Sequence, residues 1–100
     1  MKYKVTISKR AEKYLDNVFD YLKHEWSEKV RKDFKKKLKD KIDLLRYNPY
    51  MFPVSQVKKG VRKCLITKHN AMYYQIKNFE VEIITIHDTR SNPESLKLQK

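Results

Sequence analysis

Hydrophobic and polar positions change period twice along this chain, and each change marks an element. Tyr3-Lys4-Val5-Thr6-Ile7 alternates with period two, as a strand with one inward face does. From Ser8 the spacing lengthens: Ala11, Leu15, Val18, Phe19 and Leu22 recur at helical intervals and predict a helix to about His24, N-capped by Ser8. Ser27, followed by Glu28, opens a second helix on which Val30, Phe34, Leu38, Ile42 and Leu45 form a narrow apolar stripe. Asn48-Pro49 ends that helix, because the residue before proline is pushed out of helical geometry. A short link between two such helices makes a hairpin, with Trp26 in the link as a staple between them.

Residues 49–60 read as a loop with two prolines, ending in Lys58-Lys59-Gly60. The period then returns to two, and strands are expected at about 61–67, 71–77 and 80–87, joined by Lys68-His69-Asn70 and by the tight turn Asn78-Phe79. Along the last strand Val81, Ile83 and Thr85 point one way, and Glu82, Ile84 and Ile86 the other. Both faces are fairly apolar, which suits a central strand. The order strand, helix, helix, three strands predicts a two-layer α+β sandwich. In it the first strand rejoins a C-terminal antiparallel meander in an antiparallel sheet, the hairpin covers one face, and the opposite face is partly open. No repeat or linker divides the chain, so residues 1–100 form one domain.

Composition narrows the function. Lys and Arg number 24 against 12 acidic residues, a net charge of +12, which suits an anionic polymer or an acidic protein partner. The lysines of the second helix, Lys29, Lys32, Lys36 and Lys39, share one face and read as a solvated surface that reinforces this footprint. One glycine excludes a glycine-rich phosphate loop, and with it a nucleotide-cofactor fold; no cofactor is expected. Three His and one Cys, scattered, do not make a metal site. His24-Glu25-Trp26-Ser27-Glu28 begins like a zinc-protease motif, but Glu28 stands where the second histidine is required. Cys64 cannot form an internal disulfide, which fits a reducing compartment; on its strand it reads as a small core residue rather than a nucleophile. The N-terminus lacks the apolar stretch of a signal peptide, and no segment approaches the roughly 18 apolar residues of a spanning helix. A cytoplasmic protein, away from membranes, is expected.

Candidate chemistry gathers in the C-terminal forty residues. His87 can move protons near neutral pH, and Arg62, Arg90, Lys58 and Lys59 can neutralise a phosphate; together they suit metal-free RNA cleavage. A histidine that only bonds to backbone at a strand end is the simpler alternative. Tyr73-Tyr74 sends one ring to each face of the sheet, so one is a candidate to stack on a base and the other is a core residue. A plain basic RNA-binding module remains a further reading.

The chain resembles the RelE/ParE superfamily of type II toxin–antitoxin toxins, the family of plasmid stabilisation proteins. The resemblance rests on Tyr3-Lys4-Val5-Thr6-Ile7-Ser8 with Ala11, the hairpin ending at Asn48-Pro49, Gly60-Val61-Arg62, Tyr73-Tyr74-Gln75-Ile76, and Ile83-Ile84-Thr85-Ile86-His87-Asp88-Thr89-Arg90 followed by Pro93. It implies a growth-inhibiting toxin neutralised in a hetero-oligomer by a co-encoded antitoxin, here an acidic one. RelE-like members cleave mRNA on the ribosome with a basic cluster and a C-terminal Tyr, or with a Glu and a terminal His-Tyr pair; ParE-like members poison DNA gyrase. Here the last tyrosine is Tyr74, Asp88 follows His87, and residues 48–60 hold no Glu or Asp. Arg62 and Arg90 match positions common to both branches. The expectation is therefore a ParE-like inhibitor of gyrase, with the RelE-like ribosome-dependent endoribonuclease as the alternative.

Overall fold

The structure is a computed structural model and describes residues 2–56 and 58–89. Strand β1 (Lys4–Ile7) leads into helices α1 (Lys9–Glu25) and α2 (Glu28–Tyr47). A 3-10 turn (Pro49–Met51) and a loop precede β2 (Arg62–Thr67), β3 (Asn70–Lys77) and β4 (Glu80–Asp88).

Both predicted N-caps are in place. Ser8 is extended, its Oγ accepts from the Ala11 N–H at 3.1 Å, and its hydroxyl donates to the carbonyl of Ile84. One side chain therefore starts α1 and ties it to a strand 76 residues further on. Ser27 Oγ accepts from Val30 N–H at 3.2 Å, and Glu28 in the first turn pairs with Arg31. The helices meet edge to face through Phe19 and Phe34, whose ring centroids are 5.8 Å apart. Trp26 closes α1 through its backbone, N–H to the Leu22 carbonyl, but its side chain is 66% exposed rather than a buried staple.

The strand order is β1-β4-β3-β2, so the last strand in sequence lies inside the sheet, as its two apolar faces require. The meander is antiparallel, but β1 runs parallel to β4, which makes the sheet mixed rather than antiparallel throughout. The hairpin is the cause. α1 leaves the far end of β1, and α2 returns to its beginning, where Tyr3 N–H donates to the Arg46 carbonyl at 2.7 Å. β2 sets out from that same end, and two tight reversals later β4 runs the same way as β1.

The main core fills the space between hairpin and sheet, with Ala11, Leu15, Phe34, Leu38 and Leu45 meeting Cys64, Met72, Tyr74, Val81, Ile83 and Ile86. A smaller cluster of Val61, Ala71, Tyr73 and Ile84 covers part of the other face. Ile84 and Ile86 therefore face opposite ways, against simple alternation. A β-bulge explains it: Tyr73 and Tyr74 oppose Thr85 and Ile83, leaving Ile84 as the extra residue and reversing the pattern beyond it.

The turns carry the expected residues. Asn78 has φ 57° in the β3–β4 turn, a left-handed conformation that asparagine tolerates. Gly60 has φ 82° in a turn closed by Val61 N–H donating to the Lys58 carbonyl at 3.2 Å, where a type II turn demands positive φ. The loop is more ordered than its prolines imply: Pro53 O accepts from Lys63 N–H at 3.0 Å, and Val54 bridges Arg62, shielding the start of the β2 edge. No helix among the described residues is long and apolar enough to cross a membrane.

Candidate functional site

Arg62 opens β2, and its guanidinium lies over the ring of Tyr50 at 5.1 Å. Its Nη1 donates to the carbonyl of Phe52 at 2.5 Å and points toward that of Tyr50 at 3.4 Å. The carbonyls that follow α2 thus hold the arginine against the helix-side edge of the sheet. Beside it, Lys58 is half-buried in the Gly60 turn and Lys59 is exposed.

His87 lies elsewhere. It pairs with Ala71, which pairs with Leu65, three residues along β2 from Arg62. Regular strand geometry makes that about 10 Å along the sheet and about 10 Å across it. The faces differ too. Arg62 pairs with Tyr74 on the hairpin side, whereas Ala71 and its partner His87 belong to the opposite side. The His87 Nε2 is buried without a hydrogen-bond partner, and an open cavity of about 280 Å³ beside it is lined by Arg10, Lys13, Asn17 and Thr85. The residues proposed from sequence to act as one phosphate-cleaving set are therefore divided between two corners. Arg90 and Pro93 lie outside the described residues.

The paired tyrosines take opposite faces as the alternation predicts, but both are buried. Tyr74 is fully enclosed in the main core, its hydroxyl donating to the Pro49 carbonyl at 2.6 Å. Burial pushes its phenol well above the ordinary tyrosine range, with Cys64 adding to the effect and Arg62 opposing it. Tyr73 is 5% exposed within the smaller cluster, and burial raises its phenol too. Neither arrangement suits a base-stacking platform, which needs an open ring face. Cys64 is fully buried, and desolvation pushes its thiol up to about 11, partly offset by Lys41. Such a thiol is a packing residue and a poor nucleophile at neutral pH. No cluster of metal-ligating side chains occurs among the described residues.

Two surface features escaped the sequence reading. The first is a groove of about 650 Å³ along the hairpin, floored by Leu15, Phe19, Leu38 and Ile42 beside Ile7 of β1. Lys32, Lys35, Lys36, Lys39 and Arg46 outnumber Glu12, Asp16 and Asp43 around it, and Lys35 Nζ stands 5.8 Å above the Phe19 ring. Part of the lysine face of α2 thus borders apolar ground instead of facing only water; the narrowness of the α2 stripe was the available signal. The second is a row of rings at the end of the sheet where β1 and β2 begin. Tyr3 lies 5.9 Å from Phe79 and 6.5 Å from Tyr50, which in turn carries Arg62.

Comparison with known proteins agrees with this architecture. The family model for "ParE toxin of type II toxin-antitoxin system, parDE" matches residues 5–93. No curated protein sequence matches the chain. Among solved structures, a chain of the chromosomal ParDE toxin–antitoxin system from P. aeruginosa superposes with a TM-score of 0.73 at 14% identity, covering 87% of this chain and 96% of that one. A chain of the E. coli DinJ–YafQ toxin–antitoxin complex gives 0.62 at 14% identity, over 90% of this chain and 96% of that one. A mutant E. coli toxin RelE in the free state gives 0.58 at 19%, over 95% and 93%. At such identities the structural likeness speaks for the fold, which is shared by toxins of both the ParE and RelE kinds. The family match extends over nearly the whole described domain, and on that ground the chain belongs to the ParE toxin family of type II toxin–antitoxin systems.

Proposed function

We propose that this toxin stops growth by binding and poisoning DNA gyrase rather than by cutting RNA, and that an acidic antitoxin holds it inactive in a hetero-oligomer. One observation supports the choice: strand register sets Arg62 and His87 apart by about 10 Å along the sheet and about 10 Å across it, a poor arrangement for clamping and protonating one phosphate. General acid–base catalysis needs its groups within hydrogen-bond reach of one reacting centre. An inhibitor needs only a complementary surface. The lysine-rimmed apolar groove supports the antitoxin half of the reading, since its floor fits the apolar face of an amphipathic segment and its rim fits acidic flanks.

The endoribonuclease alternative draws support from the unpartnered, buried Nε2 of His87, because orphaned polar atoms concentrate at functional sites. Inducing the toxin and following DNA breakage and transcript integrity over the first minutes separates the two. Broken DNA and a damage response with intact transcripts are expected. Prompt mRNA cleavage without DNA damage, abolished by His87→Ala, would overturn the gyrase reading.

A further inference from the structure

Large apolar side chains are not exposed at random on this molecule. Tyr47, Tyr50, Met51, Val54 and Phe79, each more than half exposed, come from the end of α2, the turn and loop after it and the β3–β4 turn. Tyr3 joins the two groups. Its ring packs against Phe79 with an interplanar angle of 46° and against Tyr50 at 72°, and the Arg62 guanidinium stands over the Tyr50 ring. The result is a continuous ledge running Phe79–Tyr3–Tyr50–Arg62. Contiguous exposed apolar surface on a small soluble protein marks an interaction site, and tyrosine, methionine and arginine are the residues that interfaces favour as anchors.

The ledge is held in shape before any partner arrives. Tyr3 is anchored by its N–H to the Arg46 carbonyl, the Tyr50 segment by the hydrogen bond from Tyr74 to Pro49, and Arg62 by the Phe52 carbonyl. A preordered ring surface loses little side-chain entropy on binding. It is also separate from the hairpin groove: the groove lies along α1 and α2 and is floored by their apolar stripes, while the ledge crosses the starting ends of the strands.

We propose that this ledge is the surface by which the toxin grips its protein target, and that the matching patch on the target is apolar at its centre and acidic at its margin; the inference rests on the reading of the toxin as a protein inhibitor. Charge supports the acidic margin. Arg62 closes one end of the ledge, Lys59 is exposed in the turn just before it, and the whole chain carries +12. The geometry favours protein over nucleic acid. The rings meet tilted (Tyr3 on Phe79) or edge to face (Tyr3 on Tyr50) rather than as parallel plates for successive bases, and the Arg62 cation is engaged by Tyr50 and a carbonyl instead of reaching for phosphate.

The test uses the full chain carrying Tyr50→Ala and Phe79→Ala, singly and together, with Tyr21→Ala as a control that removes an equally exposed ring at the other end of the hairpin. Circular dichroism and urea midpoints establish that each variant folds; should the double variant unfold, the single variants carry the test together with the milder Tyr50→Leu and Phe79→Leu, which keep apolar bulk and remove the ring. Growth arrest and binding to purified DNA gyrase are then measured beside the wild type. Loss of arrest with binding weakened by roughly 30-fold, as anchor residues give, is expected for the ledge variants and not for Tyr21→Ala. Folded ledge variants that arrest growth at full strength overturn the proposal. So does loss of antitoxin binding with toxicity intact, self-association of the wild type that the variants abolish, or salt-sensitive RNA binding lost with the rings, since each assigns the ledge a different occupant. If the wild type binds no gyrase and breaks no DNA while the ledge variants still lose toxicity, the gyrase reading fails and the ledge stands.

Discussion

The hydroxyl of Tyr74 reaches out of the main core to the carbonyl of Pro49, 2.6 Å away, and fixes where the chain goes after α2. Tyr74 is fully buried on β3, and Pro49 is the first residue of the 3-10 turn. A carbonyl inside the molecule needs a donor, and the phenol supplies it. Tyr74→Phe keeps the ring and removes the bond, so it should cost about 1–2 kcal/mol in urea unfolding. Amide exchange should quicken across residues 50–56 more than in β4. Equal quickening in both would mean that the bond holds the sheet as a whole and not the loop.

Alkaline pH should weaken this fold through Cys64. Its thiol rises to about 11 in the folded protein from an ordinary 9.0, because burial disfavours the thiolate. A proton held more tightly in the folded state stabilises it fully below the unfolded pKa, and that stabilisation drains away as pH rises through the folded value. The loss should amount to about 1–3 kcal/mol between about pH 9 and about pH 11. Urea midpoints over that range should fall less steeply in Cys64→Ala, with a remaining slope from Tyr74. Identical slopes in the two proteins would remove Cys64 as the cause.

Gly60 should resist replacement for a backbone reason alone. No atom lies within 4 Å of where a Cβ would stand, yet φ is 82°. Gly60→Ala is thus expected to cost about 1–2 kcal/mol, and Gly60→Asn less, since asparagine accepts left-handed geometry. A neutral Gly60→Ala in thermal unfolding would mean that the turn relaxes freely.

The lysine rim should govern how fast the proposed antitoxin arrives. Reversing Lys32 and Lys36 to Glu removes attraction at the groove edge while leaving Lys35 over the Phe19 ring of its floor. Association should slow by about tenfold or more at low salt, and the wild-type advantage should shrink as salt rises. A change confined to dissociation, independent of salt, would contradict an electrostatic role.

Local signals made most of the fold legible. Ser8 and Ser27 announced the helix starts, Asn78-Phe79 the tight turn, Gly60 the end of the loop, and the period changes the elements between them. The direction of β1 was not legible, since residues 3–7 carry the same alternation whichever way they run; only the path of the hairpin decides it. The bulge at Ile84 was hidden for a related reason, because an extra residue inside an apolar run leaves the composition unchanged. The site was less legible than the fold. His87 and Arg62 look like a set when read as a list of basic residues, and register separates them. The ledge joins residues 3, 50, 62 and 79, a grouping that no local pattern contains.

The place of β4 also governs when this protein can exist as a folded molecule. Among the described residues β4 is the sole strand partner of β1 and one of the two partners of β3, yet it comes from residues 80–88. Synthesis runs from the N-terminus, so β1 must wait unpaired while nearly the whole domain is made. A chain interrupted before residue 80 can form the hairpin and the β2–β3 ribbon, and two strands alone are marginal in water. Closing a sheet through so distant a pairing is slow by its topology. The finished sheet, and with it the ledge that joins β1 to the β3–β4 turn, therefore waits for residues 80–88.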